Sequence, residues 1–138
     1  MSVSTVQLKK LWWAGPLTVL ASIVGVLIVR ALARMVLQPP YAPGLQVITI
    51  PIVLTLVLCT AAVLVFALVG RFAKKPVLTY LVISIVFLLI SFLPDIAAVS
   101  MRMPGAGWPY SITLMIMHVV AGFITVFMLI RLTVVEKS

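Results

Sequence analysis

The sequence predicts an all-α transmembrane protein, an up-down bundle of four helices. Composition is the first observation: 64% of the 138 residues are apolar and only 9% are charged, against roughly 45–50% and about 25% in soluble domains. Too little polar surface remains to face water, so lipid must serve as solvent. The second observation is a set of four apolar runs, each long enough to cross a hydrocarbon core about 30 Å thick, which takes roughly 20 helical residues. The third is that prolines, glycines and charges gather between the runs. A membrane β-barrel needs alternating segments of about ten residues, and these runs are continuous and over twice as long. No internal repeat divides the chain, so residues 1–138 read as a single domain.

The first run covers 11–36, behind Lys9 and Lys10, and meets Arg30 and Arg34 late. Ala14, Thr18, Ser22 and Gly25 make a stripe of small residues along it. Such a stripe lets helices approach closely, either inside a bundle or across a dimer. Ala31-Leu32-Ala33 resembles a signal-peptidase site, which would leave three helices after cleavage. The apolar stretch is long for a signal and Arg30 adjoins the site, so the run is read as a retained span.

Residues 38–44 hold three prolines and cannot continue a helix. The second run, 47–69, carries no charge and includes Cys59, the single cysteine, read as a small core residue. A charged turn at 70–76 ends on Pro76, which suits the first turn of the next helix. The third run, 77–99, has Pro94 and Asp95 near its end, and Tyr80, Ser84 and Ser91 share a face with Asp95 around Phe87. That face is expected to look inward. Residues 103–109 form the last break, and the fourth run, 109–132, holds His118 beside Ala121, Gly122 and Thr125.

Four crossings put both termini and the 70–76 turn on one side. That side has seven basic residues, Lys9, Lys10, Arg71, Lys74, Lys75, Arg131 and Lys137; the other has three, Arg30, Arg34 and Arg102. Basic residues stay cytoplasmic during insertion, so both termini are expected in the cytoplasm of a cell membrane. Trp12 and Trp13 at the inner end, and Tyr41, Trp108 and Tyr110 at the outer end, suit the head-group layers. The net charge of +8 is accounted for by these flanks and by anionic lipid. No basic patch interleaved with aromatics points to nucleic acid.

Ionisable groups inside a span are candidate sites because they are costly there. At 1.5 Å per residue, Arg30 lies about 28 Å along the first helix and Asp95 about 27 Å along the third, both near the outer face. Arg34 is one turn beyond Arg30. The expectation is a polar cluster of Arg30, Arg34, Asp95, Arg102 and His118, with Asp95 paired to an arginine in two-toothed fashion. Its role is either a clamp between helices or an anion or proton site. His118 lies about 12 Å below the outer end of its helix and reads as a neutral imidazole bonded to a neighbouring helix. Met103, Met115 and Met117 are softer ligand candidates that also serve as core filler. One histidine cannot provide two axial haem ligands within one chain; a dimer could. No cofactor or metal is predicted, and no catalytic residue: hydrolysis needs a paired nucleophile and base or paired carboxylates, which the spans lack.

The tryptophans near the start of the first helix, the proline-rich first outer loop, Ser91-Phe92-Leu93-Pro94-Asp95 and Met117-His118-Val119-Val120-Ala121-Gly122 together resemble a family of small bacterial four-helix membrane proteins, classed as a domain of unknown function. The resemblance covers nearly the whole chain. It implies a four-helix fold in a bacterial cell membrane and carries no reaction, ligand or site residue. Other four-helix families fit poorly. Small multidrug transporters rely on a glutamate in the first helix, quinone-linked disulfide enzymes on cysteine pairs, and membrane cytochromes b on several histidines. The expected function is a structural or accessory membrane subunit, in a homo-oligomer or a larger complex. The alternative is a small transporter or channel for an ion or small solute, using the outer Arg/Asp/His cluster.

Overall fold

The computed structural model describes residues 3–37, 43–104 and 106–137. A strand β1 (Val3–Val6) and a short 3-10 turn (Leu8–Lys10) lead into α1 (Leu11–Val36). There follow a single turn α2 (Pro43–Gln46), α3 (Thr49–Phe72), α4 (Pro76–Ser91), α5 (Leu93–Ser100), α6 (Trp108–Thr133) and a second strand β2 (Val134–Lys137). Four spans are long and apolar enough to cross a membrane: Leu8–Val36, Thr49–Phe72, Pro76–Ser100 and Trp108–Thr133. The fold is the all-α four-helix bundle that the apolar runs predict. Tyr41 and the centre of the proline-rich loop fall outside the described residues.

Helix ends follow backbone chemistry. Pro76 opens α4 and Pro109 lies in the first turn of α6, where a missing N–H removes no helical bond. The third span is expected as one helix but is divided at Phe92. Pro94 has no N–H to offer the carbonyl one turn back and crowds it, so the helix is interrupted and resumes as α5. Arg102 closes α5 with φ 50°. Its N–H bonds to the Val99 carbonyl at 3.0 Å and that of Met103 to Ala98 at 3.1 Å, the pattern by which a left-handed residue ends a helix.

The surface is apolar and the interior is partly polar, the inverse of a soluble bundle. Leu20, Val24, Ile28 and Leu32 point outward from α1, while Ala14, Thr18 and Ser22 are fully buried. The small-residue stripe of α1 therefore packs inside the bundle. A Cβ added at Gly25 would come within 3.1 Å of both Ile124 and Val120 on α6, so only glycine lets the two backbones approach this closely. α1 runs along α6 and α3, while α4 touches α3 and α6 from the opposite corner. Two apolar clusters stand at different heights: Val26, Leu45 and Met117 towards the α1 C-terminus, with Tyr110 packed on them, and Phe66, Tyr80 and Leu129 towards the end that carries the chain termini.

The two strands are a feature that the apolar pattern does not reveal. β1 and β2 pair antiparallel, Val3 opposite Lys137 and Val6 opposite Val134. The ladder continues through the Gln7 N–H, which donates to the Thr133 carbonyl at 2.8 Å. The ribbon thus joins β1 and β2 at the end of the bundle where α1 begins and α6 ends. Val6 is seated on α3, where a Cβ at Gly70 would meet its side chain at 2.9–3.2 Å.

Candidate functional site

Asp95 sits in the first turn of α5, immediately after the break imposed by Pro94. The break turns its side chain towards α6, where it is buried. Its Oδ2 lies 3.2 Å from Nδ1 of His118. Neither atom has a well-aligned hydrogen bond, so the contact is a close approach of two polar groups. α5 is held in this position from a second point: Ser111 Oγ on α6 donates to the Asp95 carbonyl at 3.1 Å. Phe92 lies against the imidazole, the two ring centroids 6.4 Å apart.

The arginines expected around Asp95 are placed elsewhere or face outward. Arg30 is buried on α1, and its Nη2 donates to the Gln46 carbonyl at 3.2 Å. It fastens α1 to α2, and its Nε has no partner. Asp95 meets His118 instead because α5 packs against α6 and α4. Arg34 is exposed on α1, and Arg102 is exposed where it terminates α5. Of the five expected cluster residues, the structure brings Asp95 and His118 into direct contact.

His118 also lines a cleft of about 220 Å³ between α3, α4 and α6. Opposite it runs the polar face of α4, with Tyr80, Ser84, Phe87 and Ser91 all on the cleft wall. That face looks inward as the helical spacing predicts. Leu54 and Leu58 on α3 and Ile83 and Phe87 on α4 line the cleft yet are exposed, so its mouth opens between α3 and α4 towards hydrocarbon. With Nδ1 turned to Asp95, Nε2 is the imidazole nitrogen left for the cleft.

Residues 6–134 match the model of a family of unknown function, DUF6069. The chain belongs to that family. Neither a curated protein nor a solved structure matches it. The membership agrees with the resemblance carried by the Pro94-Asp95 and His118 segments, and it brings no activity to this DUF6069 protein.

Two parts of the site in this DUF6069 chain escape sequence reasoning. One is a side-chain relay at mid-height. Ser22 Oγ and Thr125 Oγ1 are 3.0 Å apart, and Thr125 donates to Cys59 Sγ at 3.3 Å. Thr125 has a single proton, so Ser22 is the donor to it. The other is the hydroxyl of Tyr80. The ring is 1% exposed and packs edge-on against Phe66, centroids 4.7 Å apart, yet its oxygen has no hydrogen-bond partner. Ser84, one turn along, approaches it without reaching bonding geometry. Thr55 and Cys59 at i, i+4 on the otherwise apolar second run were the one available sign that α3 turns a polar edge inward. Among the described residues no group of three or more His, Cys, Asp or Glu side chains gathers as a metal site would require.

Proposed function

We propose that the protein is an accessory or structural subunit of a bacterial cell membrane, with both termini in the cytoplasm. The observation that carries this reading is how the intramembrane polar groups are used. Ser22, Thr125 and Cys59 link α1, α6 and α3. Asp95 and His118 link α5 to α6, and Arg30 links α1 to α2. Each closes a short contact between neighbouring elements, as polar groups do when they hold helices together in lipid. A conduit instead needs its polar groups in file along one wet path. The excess of basic residues on the side of the termini supports the orientation.

The reading is tested by reconstitution into liposomes. Ion and proton flux should match that of empty liposomes, and Asp95→Asn should leave flux unchanged while lowering the thermal midpoint of the detergent-solubilised protein. Mild extraction from the native membrane should give an assembly larger than the 15.0 kDa chain with its detergent. Reporter fusions at either end should be active on the cytoplasmic side only. Proton flux that depends on Asp95 would replace this reading with the transporter alternative, built on the same outer cluster.

A further inference from the structure

The face of the bundle between α4 and α6 carries a groove of about 340 Å³. Leu81 on α4 forms one wall; Phe123, Val126, Phe127 and Ile130 on α6 form the other, and Arg131 closes one end. Phe123 and Phe127 are exposed and stacked, ring centroids 5.8 Å apart and planes 11° from parallel. They give the groove a flat side along which an unbranched chain can lie. From Phe123 to Arg131 the groove follows α6 for about 12 Å, at 1.5 Å per residue. It ends where the bundle carries the chain termini.

The lining is wholly apolar, so Arg131 contributes its methylene stem. The side chain is exposed, and such a stem lies on apolar surface while its charged head reaches the polar layer. The guanidinium therefore stands just beyond the end of the groove. Lys74 and Lys75 are exposed at the same end, in the turn that leads into α4. No side chain caps the first turn of α4, so its N–H groups add to the positive field there. Among the described residues Asp95 meets His118 and Glu136 makes no ion pair, which leaves Arg131 without a carboxylate partner. We propose that this groove binds an anionic phospholipid, its acyl chain along the stacked rings and its phosphate on Arg131, with Lys74 and Lys75 drawing the head group in. A zwitterionic lipid fills the groove equally but brings its own cation to Arg131. A second copy across a two-fold axis along the membrane normal would repeat the same patch on both sides, setting Arg131 against Arg131 and lysines against lysines.

Native mass spectrometry of the full chain in a non-ionic detergent counts retained lipid directly. The micelles are doped with dioleoylphosphatidylglycerol or with dioleoylphosphatidylcholine, and glycerol phosphate serves as the head group without a chain. The chain should retain phosphatidylglycerol about fivefold more tightly than phosphatidylcholine, the attraction that one basic residue exerts on an anionic head group. Glycerol phosphate should not be retained. Arg131→Gln should remove the preference and leave phosphatidylcholine binding as it was. Lys9→Gln takes a charge from the same end without touching the groove, and it should keep the preference. Leu81→Trp fills the groove and should abolish retention of both lipids. If Leu81→Trp does not fold, Phe127→Ala dismantles the flat wall at an exposed position and should weaken retention of both. Equal retention of the two lipids, a preference that survives Arg131→Gln or is lost equally in Lys9→Gln, retention of glycerol phosphate alone, retention undiminished in the groove variants, or a lipid-free dimer would each overturn the proposal.

Discussion

Ser22 on α1 and Thr125 on α6 meet oxygen to oxygen at 3.0 Å, and the Thr125 hydroxyl donates a hydrogen bond to the sulfur of Cys59 on α3. One threonine therefore joins three of the four spans at mid-height. The small side chains around Ser22 make this contact reachable, since α1 and α6 approach there without bulk between them.

Replacing Thr125 by Val keeps the shape and removes both bonds. It should destabilise the protein by about 1–2 kcal/mol, the upper part of the range for interhelical hydrogen bonds in membranes. Ser22→Ala should cost less, and the double variant less than the sum, because the two residues share one bond. Unfolding in a denaturing detergent titration measures all three, and strict additivity would show that the relay is not formed.

Asp95 and His118 should behave as a coupled pair. Asp95→Asn and His118→Gln are each expected to destabilise, with a coupling energy of about 0.5–3 kcal/mol in a double-mutant cycle. Asp95→Asn combined with Arg30→Gln should be additive, since Arg30 is engaged with Gln46. Coupling to Arg30 with none to His118 would reverse the assignment.

Two glycines of α1 and α6 should respond in opposite ways. Gly25→Ala forces a methyl against Ile124 and Val120 and should cost about 1–3 kcal/mol through overpacking. Gly122→Ala meets only an ordinary contact with Leu88 and should be neutral, or stabilising by up to about 1 kcal/mol from helix propensity. Thermal midpoints in the same detergent compare them directly.

The terminal ribbon fixes a register that chemistry can read. Thr5→Cys combined with Val135→Cys places two thiols directly opposite, and they should oxidise readily to a disulfide in the Cys59→Ala background. Thr5→Cys with Val134→Cys is out of register by one residue, which points the two side chains to opposite faces, and it should oxidise far more slowly. Equal rates would mean that the strands are not paired as described. Gly70→Leu should loosen the same ribbon by displacing Val6, seen as faster amide exchange at Thr5 and Val6.

Much of this molecule is legible in its sequence, and unevenly so. The four spans can be read because length and apolarity are local properties. The inward turn of Tyr80, Ser84 and Ser91 can be read because polar residues at helical spacing mark a face even in an apolar helix. The break at Phe92 follows from Pro94, though an uninterrupted apolar run conceals it. The terminal strands escape notice because each is only four residues long, and each is stable only through a partner at the far end of the chain.

By itself, the sequence determined that this chain lives in hydrocarbon, where it crosses and where it turns, since bilayer thickness converts composition into spans without reference to any other part of the protein. Only the tertiary structure decided that Asp95 meets His118 and not Arg30, that the small stripe of α1 is spent inside the bundle, and that a cleft remains beside α4. Those outcomes depend on how each helix is rotated and which helix stands next to it. In lipid the outward face is as apolar as the core, so the periodicity that marks the buried side of a soluble helix is nearly erased. Packing alone then selects the partners.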